Sequence, residues 1–223
     1  MPAHLRPTAP IAADAVLVGD PGRALLLAQE LLEQPKMSNH ARGLWGYSGQ
    51  TPAGDALTIQ ATGIGGPSAT LVLGDLAELG VRRVVRVGTC AGSATCRPGE
   101  LLVVSEAVAA GGSATSLGVE IGELVRPNAR LSEQVRRALG GDGHSAVVAS
   151  VDSHPGAQSL PAGALAADMQ TAPLLARANS LGIAAAVILI VTEINGGATV
   201  LEKEALEPAE KRAGEAASIV LSA

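Results

Sequence analysis

Two glycine turns, each with an arginine beside it, are the stretches of this chain best suited to chemistry. The first, VGDPGRA, leads from an apolar run through Gly19 into a helix and places Arg23 one helical turn further on. The second, RVGT, places Arg86 at the end of an apolar run and adds the hydroxyl of Thr89. Guanidinium groups bind oxyanions with paired N–H donors, and helix N-termini attract anions. Alone, the first turn is more typical of an ordinary strand–helix turn, and the alternative role for Arg86 is a salt bridge to a local carboxylate. Together they favour an anion site.

Short β-branched runs alternate with amphipathic segments along the whole chain, and this pattern predicts a mostly parallel or mixed sheet covered by helices. The predicted strands are 15–19, 43–49, 55–63, 81–87, 100–109, 145–150 and 184–192. The predicted helices are 21–33, 66–80, 129–139, 171–181 and 206–221, and the glycine- and serine-rich interval 111–128 is predicted to be a loop. If the strands that carry the two arginine turns are parallel, both turns lie at the carboxyl edge of the sheet, where α/β proteins bind ligands.

Length and composition narrow the possible classes of protein. The 223 residues fit one α/β domain, 1–223, and 47% hydrophobic against 17% charged residues excludes a disordered chain. The net charge is −5 and the basic residues are scattered along the sequence, so no basic patch that would bind nucleic acid is predicted. Because no apolar run could span a bilayer and MPAHLRPTAP has no secretory core, we expect a cytoplasmic protein without a membrane partner. Cys90 and Cys96 form neither a metal pattern nor a disulfide framework, so no metal site is predicted.

Three further segments carry polar groups that suit either a ligand or the fold. TGIGGPSAT, with Ser68 near a helix start, allows close ligand approach or simply a tight turn. ADMQTAP places Asp168, Met169 and Gln170 before a helix, where they could bind a polyol or only cap the helix. LIVTEINGG leaves Glu193 just past a very apolar strand, where partial removal from water would suit it to proton donation. A solvated loop carboxylate fits that position equally well.

Taken together, these segments resemble the nucleoside phosphorylases of the purine nucleoside and uridine phosphorylase type, the hexameric class. The matching stretches follow the family's order: GDPGRA, RGLWGYSG, TGIGGPS, RVGT, a sugar motif that stands here as ADMQ, and a strand that ends at an acidic position. The resemblance implies a three-layer α/β/α sandwich with a mixed, partly barrel-like central sheet. It also implies a pentosyltransferase that needs no cofactor and uses inorganic phosphate as co-substrate, releasing a free base and a pentose 1-phosphate from a nucleoside.

The resemblance also assigns the phosphate-binding residues. They are Gly19, Arg23, Arg42, Arg86 and Thr89. In the family, the arginine that matches Arg42 and the histidine that matches His4 come from the neighbouring subunit, and the histidine reaches towards the 5′ end of the sugar. The resemblance therefore implies a homodimer or hexamer whose sites are completed across an interface. Because the related nucleosidases, which use water, generally lack this arginine set, phosphorolysis is favoured over hydrolysis.

The sugar motif departs from the family's pattern. Its second carboxylate, which accepts hydrogen bonds from the ribose 2′- and 3′-hydroxyls, is replaced by the neutral Gln170, while Asp168 and Met169 complete the predicted sugar-binding group. Charge-assisted hydrogen bonds are about twice as strong as neutral ones. We therefore expect ribose affinity to drop, or the sugar to differ.

The residues that match the family's base site leave the base open. Glu193 stands where purine-type enzymes have an aspartate, and it is the expected proton donor, with Arg86 as the second catalytic residue. His154 aligns with the aromatic residue that packs on the base, and Gln158 matches the uracil-binding glutamine of uridine phosphorylases. The sequence favours a purine nucleoside phosphorylase. A uridine phosphorylase and a catalytically weak relative that only binds nucleoside or phosphate are the alternatives.

Overall fold

Eleven strands and six α-helices make up the regular structure of the residues that the computed structural model describes, which are 2–154, 160–161 and 163–222. The strands are β1 (Asp14–Val18), β2 (Glu33–Asn39), β3 (Gly46–Gln50), β4 (Ala56–Ala61), β5 (Arg83–Gly92), β6 (Leu101–Ala109), β7 (Leu124–Val125), β8 (Gly143–Ser150), β9 (Ala166–Asp168), β10 (Ala184–Ile194) and β11 (Thr199–Val200). The helices are α1 (Pro21–Leu31), α2 (Gly65–Glu78), α3 (Gly112–Thr115), α4 (Ala129–Leu139), α5 (Thr171–Leu181) and α6 (Lys203–Leu221).

The described strands form one sheet that is partly closed on itself. Its order is β11-β10-β6-β8-β9-β5-β1-β4-β3-β2, with β7 beside β6, and a further pairing of β10 with β5 closes β10, β6, β8, β9 and β5 into a barrel-like ring. Strand β1 lies between β4 and β5 and is parallel to both, and β10 is parallel to β5. The carboxyl ends of β1, β4, β5 and β10 therefore meet at one edge, as the two arginine turns require.

Helices cover both faces of this sheet, and each face has its own core. On one face α1, α4 and α6 contribute side chains such as Leu27, Val135 and Val220. On the other face α2 and α5 contribute Leu73 and Leu174. This three-layer α/β/α arrangement around a mixed, partly barrel-like sheet confirms the predicted fold class. In the part of the chain described here, no helix is both long and apolar enough to cross a membrane.

Most predicted elements are present, and the differences lie at their ends and at the sheet edge. Helix α1 ends at Leu31 because the chain passes directly into β2. The sequence does not predict β2, since EQPKMSN lacks apolar alternation and forms a largely exposed edge strand paired with β3. The predicted loop 111–128 contains the one-turn helix α3 and the two-residue strand β7, and α6 begins at Lys203.

Strand β5 continues past the point where the sequence predicts it to stop. The prediction of an end at Gly88 and Thr89 is wrong, because β10 stays paired with β5 as far as Gly92. Strand β1, unlike β10, does not stay paired with β5 to this point, and the last pair in their register is Val18 with Val87. The gap that opens beyond this pair creates space at the carboxyl edge of the sheet.

Candidate active site

A cavity of about 700 Å³ occupies this carboxyl edge. It is lined by most of the residues that the sequence singles out, namely Gly19, Arg23, Arg42, Arg86, Thr89, His154, Asp168, Met169, Gln170 and Glu193. His4 lines a neighbouring cavity, and Gln158 falls outside the described residues. The fold therefore gathers the predicted phosphate residues, and most of the predicted sugar and base residues, around one space. Their individual roles stay predictions.

Arg86 is a buried cation with an unused donor. Only 4% of its surface is exposed, its Nη2 lies 3.3 Å from Asp168 Oδ2, and its Nε donates to Gln170 Oε1 over 3.1 Å. Its Nη1 is buried without a hydrogen-bond partner among the described residues. The guanidinium lies over Gly88, where an added Cβ atom would overlap it. Because an unpaired buried donor is costly, we expect an anionic ligand to bind here.

Arg23 brings a second positive charge close to Arg86. Burial lowers the pKa of Arg86; Asp168 raises it, and the nearby Arg23 guanidinium lowers it again. Two neighbouring guanidiniums disfavour each other unless negative charge lies near them. Part of that charge comes from Glu210 on α6, whose Oε1 accepts a hydrogen bond from Arg23 Nε over 2.6 Å. No sequence motif points to Glu210, which lies 187 residues from Arg23.

The first glycine turn leads into α1 as predicted, but the helix N-terminus is already capped. Asp20 Oδ1 accepts a hydrogen bond from the backbone N–H of Arg23 at 2.9 Å, so this carboxylate uses one of the N–H groups that could bind an anion. A Cβ atom at Gly19 would meet the Gly63 carbonyl only at an ordinary contact distance of 3.6 Å. The missing side chain therefore leaves room in the cavity rather than relieving a clash within the protein.

Asp168, at the end of β9, is the centre of a buried hydrogen-bond network. The residue is 1% exposed, and its carboxylate accepts hydrogen bonds from Ser150 Oγ and Thr171 Oγ1, each at 2.7 Å. It also accepts from the backbone N–H of Thr171 at 3.1 Å and so satisfies the first turn of α5. The helix-capping interpretation of this segment is therefore visible in the structure. The sugar contact predicted for Asp168 stays a prediction.

Gln170 hydrogen-bonds to protein groups through both its amide oxygen and its amide nitrogen. Its Oε1 accepts from Thr62 Oγ1 at 3.2 Å as well as from Arg86, and its Nε2 donates to the carbonyls of Gly63 at 2.6 Å and Gly65 at 3.2 Å. Both glycines have left-handed backbones, with φ of +74° and +80°. Both amide donors are thus used, and the acceptor oxygen is bound by Arg86 and approached by the Thr62 hydroxyl, which also donates to the Val18 carbonyl at 3.0 Å. This explains the departure from the family's carboxylate, which would face two carbonyl oxygens here.

Glu193 and His154 lie side by side on the cavity wall. The sequence places Glu193 past the end of its strand, but it lies inside β10, opposite Val200 of β11, and follows a bulge in the β10–β5 pairing. Its side chain is 15% exposed, and its Oε1 lies 3.7 Å from Nε2 of His154, which is largely exposed. The two residues predicted to contact the base are thus neighbours, as a base site would require.

Cys90 lines the same cavity, in surroundings that disfavour the reactive form of its thiol. Burial raises the pKa of its thiol well above the ordinary value of 9.0, and Asp168 raises it further. The reactive form of a cysteine is the thiolate, which this environment disfavours. Within the described ranges, no group of three or more His, Cys, Asp or Glu side chains could hold a metal ion.

Arg42 connects the main cavity to a second one of about 440 Å³, which His4 and His40 also line. Its backbone has a φ of +58°, in the left-handed region that non-glycine residues rarely adopt. Such strained residues cluster at functional sites, because the surrounding structure must hold them. The strain at Arg42 therefore supports a role for its side chain.

Replacing Arg42 with glycine should separate the charge from the strained backbone. Glycine adopts a left-handed φ freely, so the free energy of unfolding should stay within about 1 kcal/mol of the wild type. Phosphate binding, measured by calorimetry, should weaken about tenfold or more because one guanidinium is lost. Gln34→Gly is the matched control, since Gln34 has a φ of +46° and does not line the cavity. Unchanged phosphate affinity in Arg42→Gly would exclude Arg42 as a ligand.

His4 is held in place by Asp75 of α2. The buried Asp75 carboxylate accepts hydrogen bonds from the backbone N–H groups of Ala3, His4 and Leu5 at 3.1, 2.6 and 2.7 Å. The imidazole Nδ1 of His4 also lies 3.5 Å from Asp75 Oδ1. One carboxylate thus fixes the N-terminal segment and the histidine that it carries.

Asp75→Asn should destabilise the protein in a pH-dependent way. Burial alone raises the pKa of Asp75, but the hydrogen bonds from Leu5, His4 and Ala3 outweigh it, so the pKa lies below its ordinary 3.8. A carboxyl whose pKa falls on folding stabilises the protein above its unfolded pKa and loses that contribution as pH falls through the folded pKa. The variant should be about 1–3 kcal/mol less stable than the wild type at neutral pH. In thermal unfolding, this difference should shrink in acid below the ordinary pKa of 3.8, and a constant difference would contradict the assignment.

The fold and the site together define an α/β protein that gathers arginines around a small cavity at the carboxyl edge of its sheet. The sequence pattern of the phosphorylase superfamily matches residues 14–223. The chain belongs to the phosphorylase superfamily, which confirms the resemblance seen in its motifs.

Individual relatives match parts of the chain. A "Purine nucleoside phosphorylase DeoD-type" of Oceanobacillus iheyensis is 42% identical over 81 residues, which cover 36% of this chain and 34% of the relative. Another, of Clostridium beijerinckii, is 38% identical over 94 residues, covering 41% and 39%. The aligned segments thus span only about a third to two fifths of these relatives. The crystal structure of uridine phosphorylase from Vibrio fischeri has a TM-score of 0.82 over 95% of this chain and 92% of that one, at 22% identity, and shows the same fold.

Proposed function

We propose that this chain is a nucleoside phosphorylase, a pentosyltransferase that uses inorganic phosphate to cleave the N-glycosidic bond of a nucleoside. The observation that carries the proposal is Arg86, a buried guanidinium on the cavity wall whose Nη1 has no hydrogen-bond partner among the described residues. Arg23 and Arg42 line the same cavity. Three guanidiniums suit a phosphate dianion, whereas attack by water would not need them.

The proposed mechanism is electrostatic. The arginines, with Gly19 and Thr89, hold phosphate beneath C1′ of the sugar, so the nucleophile and the reacting carbon start close together. As the glycosidic bond lengthens, the sugar gains oxocarbenium character, which the negative phosphate stabilises. Glu193 neutralises the charge on the departing base by donating a proton or a hydrogen bond. Phosphate oxygen then bonds to C1′, which gives the free base and pentose 1-phosphate.

The proposed base is a purine. The similarity to proteins named purine nucleoside phosphorylase supports this choice, as does Glu193 on the cavity wall with His154 3.7 Å away. Uridine is the alternative, and Gln158, the residue expected to recognise uracil, lies outside the described residues. Comparing base release from purine and pyrimidine nucleosides would decide between the two bases.

Purified protein incubated with purine and pyrimidine nucleosides, with and without phosphate, tests the proposal. We expect base release from a purine nucleoside that rises with phosphate concentration and stops without it. Release that ignores phosphate would make the protein a nucleosidase. If phosphate-dependent base release is faster from uridine than from any purine nucleoside, the phosphorylase proposal holds and the proposed base becomes uracil. Each arm should include the 2′-deoxynucleoside, because both amide donors of Gln170 are already bound to protein carbonyls.

The proposed active unit is a homodimer or a hexamer in which Arg42 and His4 act on the partner's site. The family resemblance is the ground for this arrangement; within the single chain, Arg42 lines both the main cavity and the second cavity, which His4 also lines. Sedimentation of the active protein should show a dimer or a larger assembly. A monomer that retains full activity would contradict the proposal.

A second candidate is a relative that binds nucleoside or phosphate but turns over slowly. The favouring observation is that Gln170, at the family's sugar carboxylate position, has both amide donors bound to protein carbonyls and its oxygen bound to Arg86. Calorimetry that detects binding of a nucleoside, with no base released from any panel member, would support this candidate. Turnover of any panel member at an ordinary enzymatic rate would remove it.

A further inference from the structure

Arg23 and Glu210 form a buried ion pair between the first and the last helix. Arg23 lies in the first turn of α1 and Glu210 in α6, and their Nε and Oε1 atoms are 2.6 Å apart. The two side chains are only 8% and 11% exposed. Removing two charges from water costs about as much as their attraction returns, so such a pair is weak evidence for a purely stabilising role.

The packing of α1 against α6 brings this pair together. Gly214 lies one helical turn after Glu210 in α6, and Leu27 lies one helical turn after Arg23 in α1. The contact between Gly214 and Leu27 is therefore next to the contact between Glu210 and Arg23. A Cβ atom on Gly214 would lie 2.6 Å from Leu27 Cδ2, so either the Leu27 side chain or the spacing of the helices would have to shift. Glycine at this position therefore permits the close approach that lets Glu210 reach Arg23.

The bond to Glu210 fixes one edge of the Arg23 guanidinium. Nε is held by Glu210, and Nη1 lies 3.5 Å from the carbonyl oxygen of Val87 in β5. Arg23 lines the main cavity, whereas Glu210 is not among the described residues that line it. Glu210 thus contacts the arginine from behind and does not face the space that a ligand would fill.

We propose that Glu210 is a positioning residue that orients the Arg23 guanidinium for anion binding and so makes phosphate affinity depend on α6. This inference rests on the proposed function, because phosphate is the anion only if the chain is a phosphorylase. A carboxylate this close also opposes a bound anion through its charge. The orienting effect of Glu210 therefore raises phosphate affinity, whereas its negative charge lowers it. Two substitutions separate these effects.

Glu210→Ala and Glu210→Gln, compared with Glu207→Ala, form the test. Calorimetry with inorganic phosphate gives the dissociation constant without relying on turnover. Glu210→Ala removes the acceptor for Arg23 Nε, and its dissociation constant should rise about five- to twentyfold, the range expected for members of one ion-pair network. Glu210→Gln keeps an acceptor oxygen and should return the constant to within about threefold of the wild type. Glu207 lies on the same helix but pairs with Lys211 at the surface, so its removal should change nothing.

The outcomes distinguish the two proposals. Phosphate bound by Glu210→Ala as tightly as by the wild type, or more tightly, would show that Glu210 does not orient Arg23 for phosphate and would overturn the inference while leaving the phosphorylase proposal intact. A wild-type protein that binds no phosphate would overturn the phosphorylase proposal and the inference with it. In turnover assays, the positioning role predicts a raised KM for phosphate with an unchanged KM for nucleoside, which a general loss of stability would not produce.

Discussion

Arg86→Ala should raise the KM for phosphate about ten- to a hundredfold while changing the KM for the nucleoside much less. The variant loses the guanidinium whose buried Nη1 has no hydrogen-bond partner among the described residues and is proposed to bind phosphate. A hydrogen bond to a charged group contributes about 1.5–3 kcal/mol, and this loss is expected in phosphate binding. Steady-state kinetics with phosphate and nucleoside varied independently measures both constants. The assay should run well below the unfolding temperature of the variant, since the substitution also leaves the buried Asp168 without its cation.

Arg82→Ala is the matched control for this experiment. Arg82 precedes β5, is exposed, and donates to the carbonyls of Ala77 and Val81. Its removal takes away the same charge close by in sequence without touching the cavity, so both KM values should stay as in the wild type. Equal effects of the two substitutions on phosphate use would show that only the overall charge matters, and Arg86 would lose its assignment.

Asp168→Ala should lower the free energy of unfolding by about 3–5 kcal/mol, because it leaves Arg86 as an uncompensated buried charge. It also removes the acceptor of the hydrogen bonds from Ser150 and Thr171. For a chain of this length, the loss corresponds to a fall in Tm of roughly 6–20 °C. Thermal unfolding followed by circular dichroism measures it.

Asp142→Ala provides the comparison for that measurement. Asp142 also pairs with an arginine, Arg212, at 3.3 Å, but its side chain is 66% exposed. Exposed pairs contribute about 0–1 kcal/mol, so this variant should melt close to the wild type. If Asp168→Ala melts as high as Asp142→Ala, the network around Asp168 is not the structural centre described here.

Arg23 and Arg86 could be predicted from the sequence because each stands beside a short local motif. Gly19 with Arg23, and Arg86 with Thr89, each occupy one short run of residues next to an apolar stretch. Parallel pairing of β1 with β5 then brings the two runs to one edge, which the alternation of strands and helices already indicates. Local sequence and one topological rule were sufficient for this part of the site.

The partners of these arginines could not be predicted, because they come from distant parts of the chain. Glu210 lies 187 residues from Arg23, and Gln170 lies 84 residues from Arg86. Nothing near Glu210 marks it, and the sequence assigns Gln170 to the sugar and not to Arg86. A side chain at Gly214 would meet Leu27 where α6 approaches α1. The continuation of β5 to Gly92 has the same origin, since it follows from pairing with the distant strand β10.

The interpretation of Gln170 changes most between sequence and structure. As a sequence feature, it is a neutral replacement for a carboxylate that binds sugar. In the structure its amide joins Arg86 and Thr62 to the carbonyls of Gly63 and Gly65. The glutamine is therefore suited to holding the glycine turn and Arg86 in place, because a carboxylate cannot donate to two carbonyl groups.

Analysis of the sugar product by phosphorus NMR tests the central claim most directly. The protein is incubated with the best purine nucleoside of the panel and inorganic phosphate, and the sugar is followed as the base is released. We predict one pentose 1-phosphate formed, and one inorganic phosphate consumed, for each base. Free pentose at the same rate, with the phosphate signal unchanged, would contradict the account.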